Sequence, residues 1–321
     1  MESGNIHSRL MFFLPFAVIL AGLTVAPFVI GPYYSNLLTE ILIWGLLAMS
    51  LDLLVGYVRI VSFGHAALFG FGAYGASMVI VRLDANLWIA LLVGMLVSGV
   101  LAFGVGMLTL YLRDIYFTIT TLVVAEIFHT IILAWTSFTG GENGLTFTVP
   151  PISLAGLGKI NMMNAYNFYF FVLILVMGLF LLCRCIVNSP FGRILQGIKE
   201  NEDRTKAIGY DVRRYKVMVF VVSGLLAGLS GVLYAMLNRY TNPDFLGFII
   251  SGEAVIWTLI GGMGTLFGPM VGVGLVIVLI DFLSTWIENY LIVVGLMFII
   301  AVIYLPKGIV GTIQDRFFPV R

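Results

Sequence analysis

The sequence predicts an all-α, polytopic membrane bundle of about eight to ten spans, and three observations predict it. The chain of 321 residues is 60% hydrophobic and only 10% charged, with a mean hydropathy of +1.07; a soluble domain carries about 25% charged residues. Five uncharged runs, Leu10–Thr39, Ala85–Leu112, Ile160–Cys183, Val217–Asn238 and Ala254–Ile280, each exceed the roughly 20 residues that cross a bilayer. These runs are solid and do not alternate, which excludes a membrane β-barrel. One membrane domain spanning 1–321 is the simplest organisation.

Ten hydrophobic segments follow in order, near 10–31, 37–58, 63–81, 86–111, 115–137, 165–187, 214–237, 250–266, 268–287 and 290–305. The first begins after Arg9, and Thr24-Val25-Ala26 resembles a signal cleavage site. The run reaches Ile30 and further spans follow, which favours an uncleaved first helix. The third holds small residues at Gly64, Ala67, Gly70, Ala73 and Ala76, the pattern that lets helices approach closely in lipid. Its Gly70-Phe-Gly72-Ala-Tyr-Gly75 matches a dinucleotide fingerprint only by spelling, since no βαβ unit surrounds it. The third and the eighth are short and Gly-rich, so either is open to a broken or re-entrant form.

The fifth segment carries Glu126 and His129, three apart and therefore on one helical face. Asp52, Glu253 and Asp281 also fall in predicted spans. Burying such groups in lipid is costly, so they are candidates either for a hydrogen bond between helices, for a polar lining of a substrate path or for a proton relay. Residues 138–164 form a hydrophilic loop with Thr139-Gly-Gly-Glu-Asn-Gly144 and Pro150-Pro151, where Gly and Pro rule out regular helix. The sixth segment ends at Cys183 and Cys185, whose spacing points them to different helix faces and argues against a shared metal or disulfide. Between the eighth and ninth stands Gly261-Gly262-Met-Gly264-Thr-Leu-Phe-Gly268-Pro269. It reads as a tight turn or as a broken helix lining a polar cavity.

A charged island stands out from this background. Arg193 to Lys216 holds seven Lys/Arg and four Asp/Glu, 11 of the chain's 33 charged residues. Ser189-Pro190 reads as an N-cap with Pro at the first helical position. Asn201 reads as a second N-cap followed by Glu202-Asp203, with Gly209 as a stop. A helix over 202–208 is expected, too short to stand alone. Lys/Arg placement sets the orientation. With ten alternating spans, one side receives Arg9, Arg59, Arg113, Arg184, the seven of the island, Lys307, Arg316 and Arg321. The other side receives Arg82, Lys159 and Arg239. Both termini and the island are therefore expected in the cytoplasm.

Net charge of +1 gives no sign of a nucleic-acid partner. There is no nucleotide-binding G-x-x-x-x-G-K-[ST] loop, so the chain does not hydrolyse ATP itself. There is no metal cluster, nucleophile–base pair or cofactor motif, so an enzyme is not expected. An ion-coupled secondary transporter using Glu126, His129 and Glu253 remains an alternative class.

Five blocks in order carry a resemblance. They are Ser62-Phe-Gly-His65 through Tyr74; Thr121–Ile127 with Glu126; Thr139–Gly144; Lys199-Glu-Asn-Glu-Asp-Arg204 through Ala207-Ile-Gly209; and Gly261–Pro269. Together they resemble the larger permease subunit of bacterial branched-chain amino acid ABC importers. The resemblance implies a permease in the bacterial cytoplasmic (inner) membrane, embedded in lipid, for branched-chain amino acids, with urea, short amides or other amino acids as alternatives. It implies a second permease subunit, two cytoplasmic ATPases that use ATP and Mg, and an extracytoplasmic binding protein, with no cofactor held by this chain. Residues 189–216 would form the cytoplasmic coupling segment, with Glu200, Asn201, Glu202, Asp203, Arg204, Ala207 and Gly209 docking on the ATPase. Asp203-Arg204-Thr205 departs from the Glu-Ala-Ala pattern of many other ABC importers. Glu126, Gly141, Asn143, Gly144, Glu253, Gly261, Gly262 and Gly264 are the candidates for the translocation pathway.

Overall fold

The structure, a computed structural model, describes residues 3–317 except 110, 113, 155–157 and 306, with side chains from residue 21 to 313 apart from those and 114, 153, 154 and 158. The cations Arg9, Arg113, Arg316 and Arg321, used above for orientation, lie outside the described side chains.

The first helix, α1 (Ser3–Val58), holds both of the first two expected spans. Gly31 leaves the helical region at φ 79° and ψ 175° and breaks it in two. A straight helix over the 38 residues Ala21–Val58 would be about 57 Å long, nearly twice a bilayer's hydrocarbon thickness. Instead the chain folds back. Leu23 shares a cavity wall with Ile41 and Leu42, whereas 18 residues of straight helix would hold Leu23 and Ile41 about 27 Å apart. The Tyr169 hydroxyl donates to the Leu23 carbonyl at 2.6 Å, and Phe28 stacks on Tyr166.

The centre of the bundle is α2 (His65–Leu83), α3 (Leu87–Thr109) and α9 (Val212–Asn238), against the second arm of α1. Small residues make this packing close. A β-carbon on Gly72 would run into the Gly228 carbonyl, and one on Gly228 into Ser98. Ser98 Oγ donates to the Gly224 carbonyl at 2.7 Å. Small-residue contacts of this kind substitute for a hydrophobic drive, which lipid cannot supply between helices. The fully buried start of α2 is satisfied by other helices: Ser251 Oγ accepts the Ala66 N–H at 2.8 Å, and Ser223 Oγ bridges His65 Nε2 and the Ser50 carbonyl.

Around this centre stand α4 (Asp114–Ala134), α6 (Ala165–Asn188), α10 (Phe248–Gly261), α11 (Phe267–Trp286) and α12 (Tyr290–Tyr304). Among the described residues, eight helices are long and apolar enough to cross a membrane. The fourteen residues of α10 reach about 21 Å, short of the hydrocarbon core. A 3₁₀ turn, Pro243–Leu246, precedes α10 and is sunk into the bundle with Leu246 against Gly70 of α2. The eighth apolar segment is therefore the incomplete one, and the third is a full helix.

The two ends of the bundle differ. At one end, Arg59, Leu112, Lys199, Glu202 and Lys216 surround a common cavity; this is the charged end, which also carries α7 (Pro190–Glu200), α8 (Glu202–Ala207) and α13 (Gly308–Phe317). At the other end the 138–164 stretch is more ordered than its Gly and Pro content suggests. It contains the single-turn α5 (Thr136–Thr139), a 3₁₀ turn at Gly141–Asn143, and strands β1 (Leu145–Thr146), β2 (Ile152–Leu154) and β3 (Gly158–Ile160). β2 pairs with β3, and β1 pairs antiparallel with β4 (Tyr240–Thr241), which directly follows α9.

Candidate functional site

Three features concentrate polar chemistry: a cavity in the membrane region, the charged platform, and the Gly-rich turn.

The cavity has a volume of about 490 Å³ and lies toward the strand end. Glu126 reaches it from α4, Glu253 from the second turn of α10, and Asn242 and Asp244 from the segment just after β4. Trp44, Tyr234 and Phe245 give it an aromatic wall, with the rings of Trp44 and Tyr234 4.5 Å apart. Three carboxylates thus meet here, and among the described residues no Lys or Arg lines the cavity. His129 Nδ1 stands 3.4 Å from Glu126 Oε1, as their i,i+3 spacing requires. Asn242 Nδ2 donates to Asp244 Oδ2 at 2.9 Å. Two buried polar atoms beside these carboxylates, His129 Nε2 and Asn242 Oδ1, have no hydrogen-bond partner among the described residues.

The sequence singled out Glu126 and Glu253, and the structure brings them together. It does not bring the glycine candidates to the same wall. Gly141, Asn143 and Gly144 form the turn that leads into β1. A β-carbon on Gly144 would strike the Thr241 carbonyl, so the turn presses directly on β4 and fixes where Asn242 and Asp244 begin. Ser77 and Thr241 share a hydrogen bond at 2.5 Å that anchors β4 to α2. Trp44, Tyr234, Asn242 and Asp244 were missed by sequence reasoning. The only local signal was Asn242-Pro243-Asp244, a polar turn set in an apolar context.

Gly261, Gly262 and Gly264 belong to the charged end. They form a tight turn between α10 and α11, not a lining of the cavity. Asp52, buried in α1, accepts the Gly264 N–H at 2.7 Å on Oδ1 and the Leu266 N–H at 3.0 Å on Oδ2. The Tyr57 hydroxyl donates to the Gly264 carbonyl at 2.9 Å. Leu266 adopts a positive φ of 58°, costly for a residue with a β-carbon, and the carboxylate grips it there. Gly56 and Gly264 pack backbone to backbone, and the Lys199 ammonium stands 3.6 Å from where a Gly264 β-carbon would be. The other ionisable group near a helix end, Asp281, accepts a hydrogen bond from the Tyr33 hydroxyl at 2.6 Å.

The platform is α7 and α8. Pro190 occupies the first turn of α7, and Gly192, Leu195 and Ile198 face inward. Asn201 caps α8 as its position suggests, its Oδ1 accepting the Arg204 N–H at 2.8 Å. The helix ends at Ala207, and Gly209 follows at φ 103°. Thr205 is the buried residue of α8; charge holds the rest. Glu202 receives Lys206 Nζ at 2.7 Å and Lys216 Nζ of α9 at 2.6 Å. Burial pushes the Glu202 carboxyl up, but the hydrogen bonds from Lys206 and Lys216 outweigh it and hold the group below its ordinary value. Glu200, Asn201, Asp203, Arg204, Ala207 and Gly209 lie exposed on one surface with Glu202 beside them, and Ile208 and Tyr210 add exposed apolar area.

The family described as "Branched-chain amino acid transport system / permease component" matches residues 33–302. The chain is similar to the high-affinity branched-chain amino acid transport system permease protein LivM of Escherichia coli (strain K12), 26% identical over 316 residues, covering 92% of this chain and 74% of that protein. It is also similar to the probable branched-chain amino acid transport permease protein LivM of Methanocaldococcus jannaschii, 24% identical over 334 residues and covering 86% and 93%. The permease protein LivH of E. coli K12 matches over 126 residues at 28% identity, 38% of this chain and 40% of that protein. No solved structure matches the chain.

Proposed function

The chain belongs to the branched-chain amino acid transport permease family, and from that premise we propose that it is the membrane-spanning permease of an ATP-driven importer for branched-chain amino acids. A second permease subunit pairs with it, and an extracytoplasmic protein delivers the substrate at the strand end. Two ATPases, using ATP and Mg, dock at the charged end, which faces the cytoplasm of the cell whose inner membrane holds the protein.

The platform carries this reading. A six-residue helix is far below the length that is stable in water. Here α8 is capped and clamped so as to present a fixed surface, and that surface combines Asp203 and Arg204 with exposed Ile208 and Tyr210. A rigid, mixed apolar and charged surface at the water-facing end of a membrane bundle suits insertion into a groove on a soluble partner. The partner supplies the energy, since the chain has no phosphate-binding loop.

The test is uptake in proteoliposomes. This chain, co-purified with its second permease and ATPases and supplied with the binding protein, is expected to accumulate leucine only with ATP on the ATPase side. Ile208→Asp should abolish uptake while the chain still inserts. Leucine accumulation by the chain alone, driven by a proton or sodium gradient, would replace this reading with ion-coupled transport.

A further inference from the structure

The cavity of about 490 Å³ is large enough for a small ligand, and its chemistry is one-sided. Glu126, Asp244 and Glu253 approach it from three separate elements, and no Lys or Arg among the described residues lines it. Glu253 has no hydrogen-bond or ion-pair partner among the described residues, and Asp244 has only the Asn242 amide. Among the described residues His129 stands beside Glu126, but no Lys or Arg faces the carboxylates, and carboxylates in a membrane region attract a cation from outside the chain. The lining also includes the rings of Trp44 and Tyr234, and aromatic rings attract an ammonium and pack against a branched aliphatic chain. Beside the carboxylates, His129 Nε2 and Asn242 Oδ1 are buried without hydrogen-bond partners among the described residues, positions that a polar ligand satisfies.

We propose that this cavity is a way-station for the substrate and selects it by its ammonium group, with Glu253 and Asp244 as the main anion pair, Glu126 as the third carboxylate, and Trp44 and Tyr234 receiving the side chain. The assignment rests on the transport reading above and narrows it. An amino acid supplies the cation that the carboxylates lack. Urea and short amides are neutral, and they leave the charges unpaired. The cavity therefore passes amino acids and disfavours neutral amides, a distinction that composition left open.

Two measurements test it. In the first, the purified full-length chain is treated with dicyclohexylcarbodiimide, and loss of the unmodified Glu253 peptide, whether to the N-acylurea or to an amide formed by amine capture, is followed by mass spectrometry. 3-Methylbutylamine, which is leucine without its carboxylate, should slow modification at least fivefold. The neutral 4-methylpentanamide should not. Equal protection by both probes, or by neither, overturns the assignment. In the second, the assembled importer is reconstituted. Glu253→Gln and Asp244→Asn should each lower leucine uptake at least tenfold, Glu253→Asp should recover part of the loss, and Glu288→Gln, at an exposed site outside the cavity lining, should leave uptake unchanged. Full uptake by both neutralised variants also overturns it. The labelling arm needs no variant to fold and no transport to occur. If wild-type importer fails to take up leucine while the amine protects Glu253 selectively, the transport reading fails and the ammonium site stands.

Discussion

Asp52 and Gly264 lie 212 positions apart in the chain, yet the Asp52 carboxylate accepts the Gly264 N–H at 2.7 Å and the Leu266 N–H at 3.0 Å from within the bundle. A carboxyl side chain buried in a membrane protein here serves the backbone of a turn. It fixes where α10 ends and α11 starts.

Asp52→Ala is expected to destabilise the protein by about 3 kcal/mol, because two hydrogen bonds disappear and the Gly264 and Leu266 N–H groups lose their acceptor. Tyr57→Phe, which removes one neutral hydrogen bond to the same turn, should cost about 1 kcal/mol. Thermal denaturation in detergent checks both. An Asp52→Ala variant that melts like the wild type would contradict the clamp.

The close contact of α2 and α9 predicts a steep size dependence. Gly72→Leu places its side chain against the Gly228 backbone, which cannot give way, and should prevent folding or cost more than about 3 kcal/mol. Gly104→Leu, on a face with open space around it, should be within about 0.5 kcal/mol of the wild type. Yield of monodisperse protein after detergent extraction separates the two.

Glu202 makes the platform sensitive to acid. Its folded-state value is held below the ordinary 4.5, so the carboxylate's contribution is fully present above that value. It is lost as pH falls through the lowered folded value. The protection of the α8 amides against hydrogen exchange, corrected for the intrinsic pH dependence of the exchange rate, should therefore be flat from pH 8 to 5 and fall only below about 4.5. In Glu202→Gln the amides should already exchange faster at neutral pH, with no acid step. A step centred near pH 7 would mean that another group controls the helix.

Gly209 sits at φ 103° with open space about it. Gly209→Ala should thus cost about 1–2 kcal/mol through backbone strain alone and leave membrane insertion intact. Because this strain falls between α8 and α9, it should lower transport far more than it lowers the amount of folded protein. The ratio of uptake to chain in the membrane, measured in proteoliposomes, is the check.

Much of this architecture is written in local chemistry. Unbroken apolar runs place the helices within a few residues, since a span must satisfy every backbone group internally. The Asn201 cap and the Gly209 stop were legible because capping depends on a few adjacent atoms. The fold-back within α1 was visible as an interruption near Gly31, although the helix resumes at once. Relationships across the chain were not legible. Two-residue strands such as β1 and β4, 95 positions apart, carry too little pattern to be seen. The tightness of the 261–267 turn depends on Asp52, which in sequence looks like any other lone intramembrane acid. For the cavity, Glu126 and Glu253 were conspicuous because carboxylates are rare in apolar runs. Asp244 was hidden in a turn, where carboxylates are ordinary, and Trp44 and Tyr234 look like any other apolar residues of a span. Only their convergence gives them a role.

Helix α9 has one further consequence. Its 27 residues extend about 40 Å, the full depth of the bundle. Near one terminus Lys216 clasps the small charged helix, and just beyond the other the chain becomes the strand that pairs with β1 and leads into the acidic cavity. The two faces of the membrane are thus joined by a single stiff rod with a handle at each end. A tilt imposed at one handle displaces the other in the same motion, so a signal need not pass from helix to helix to cross this protein.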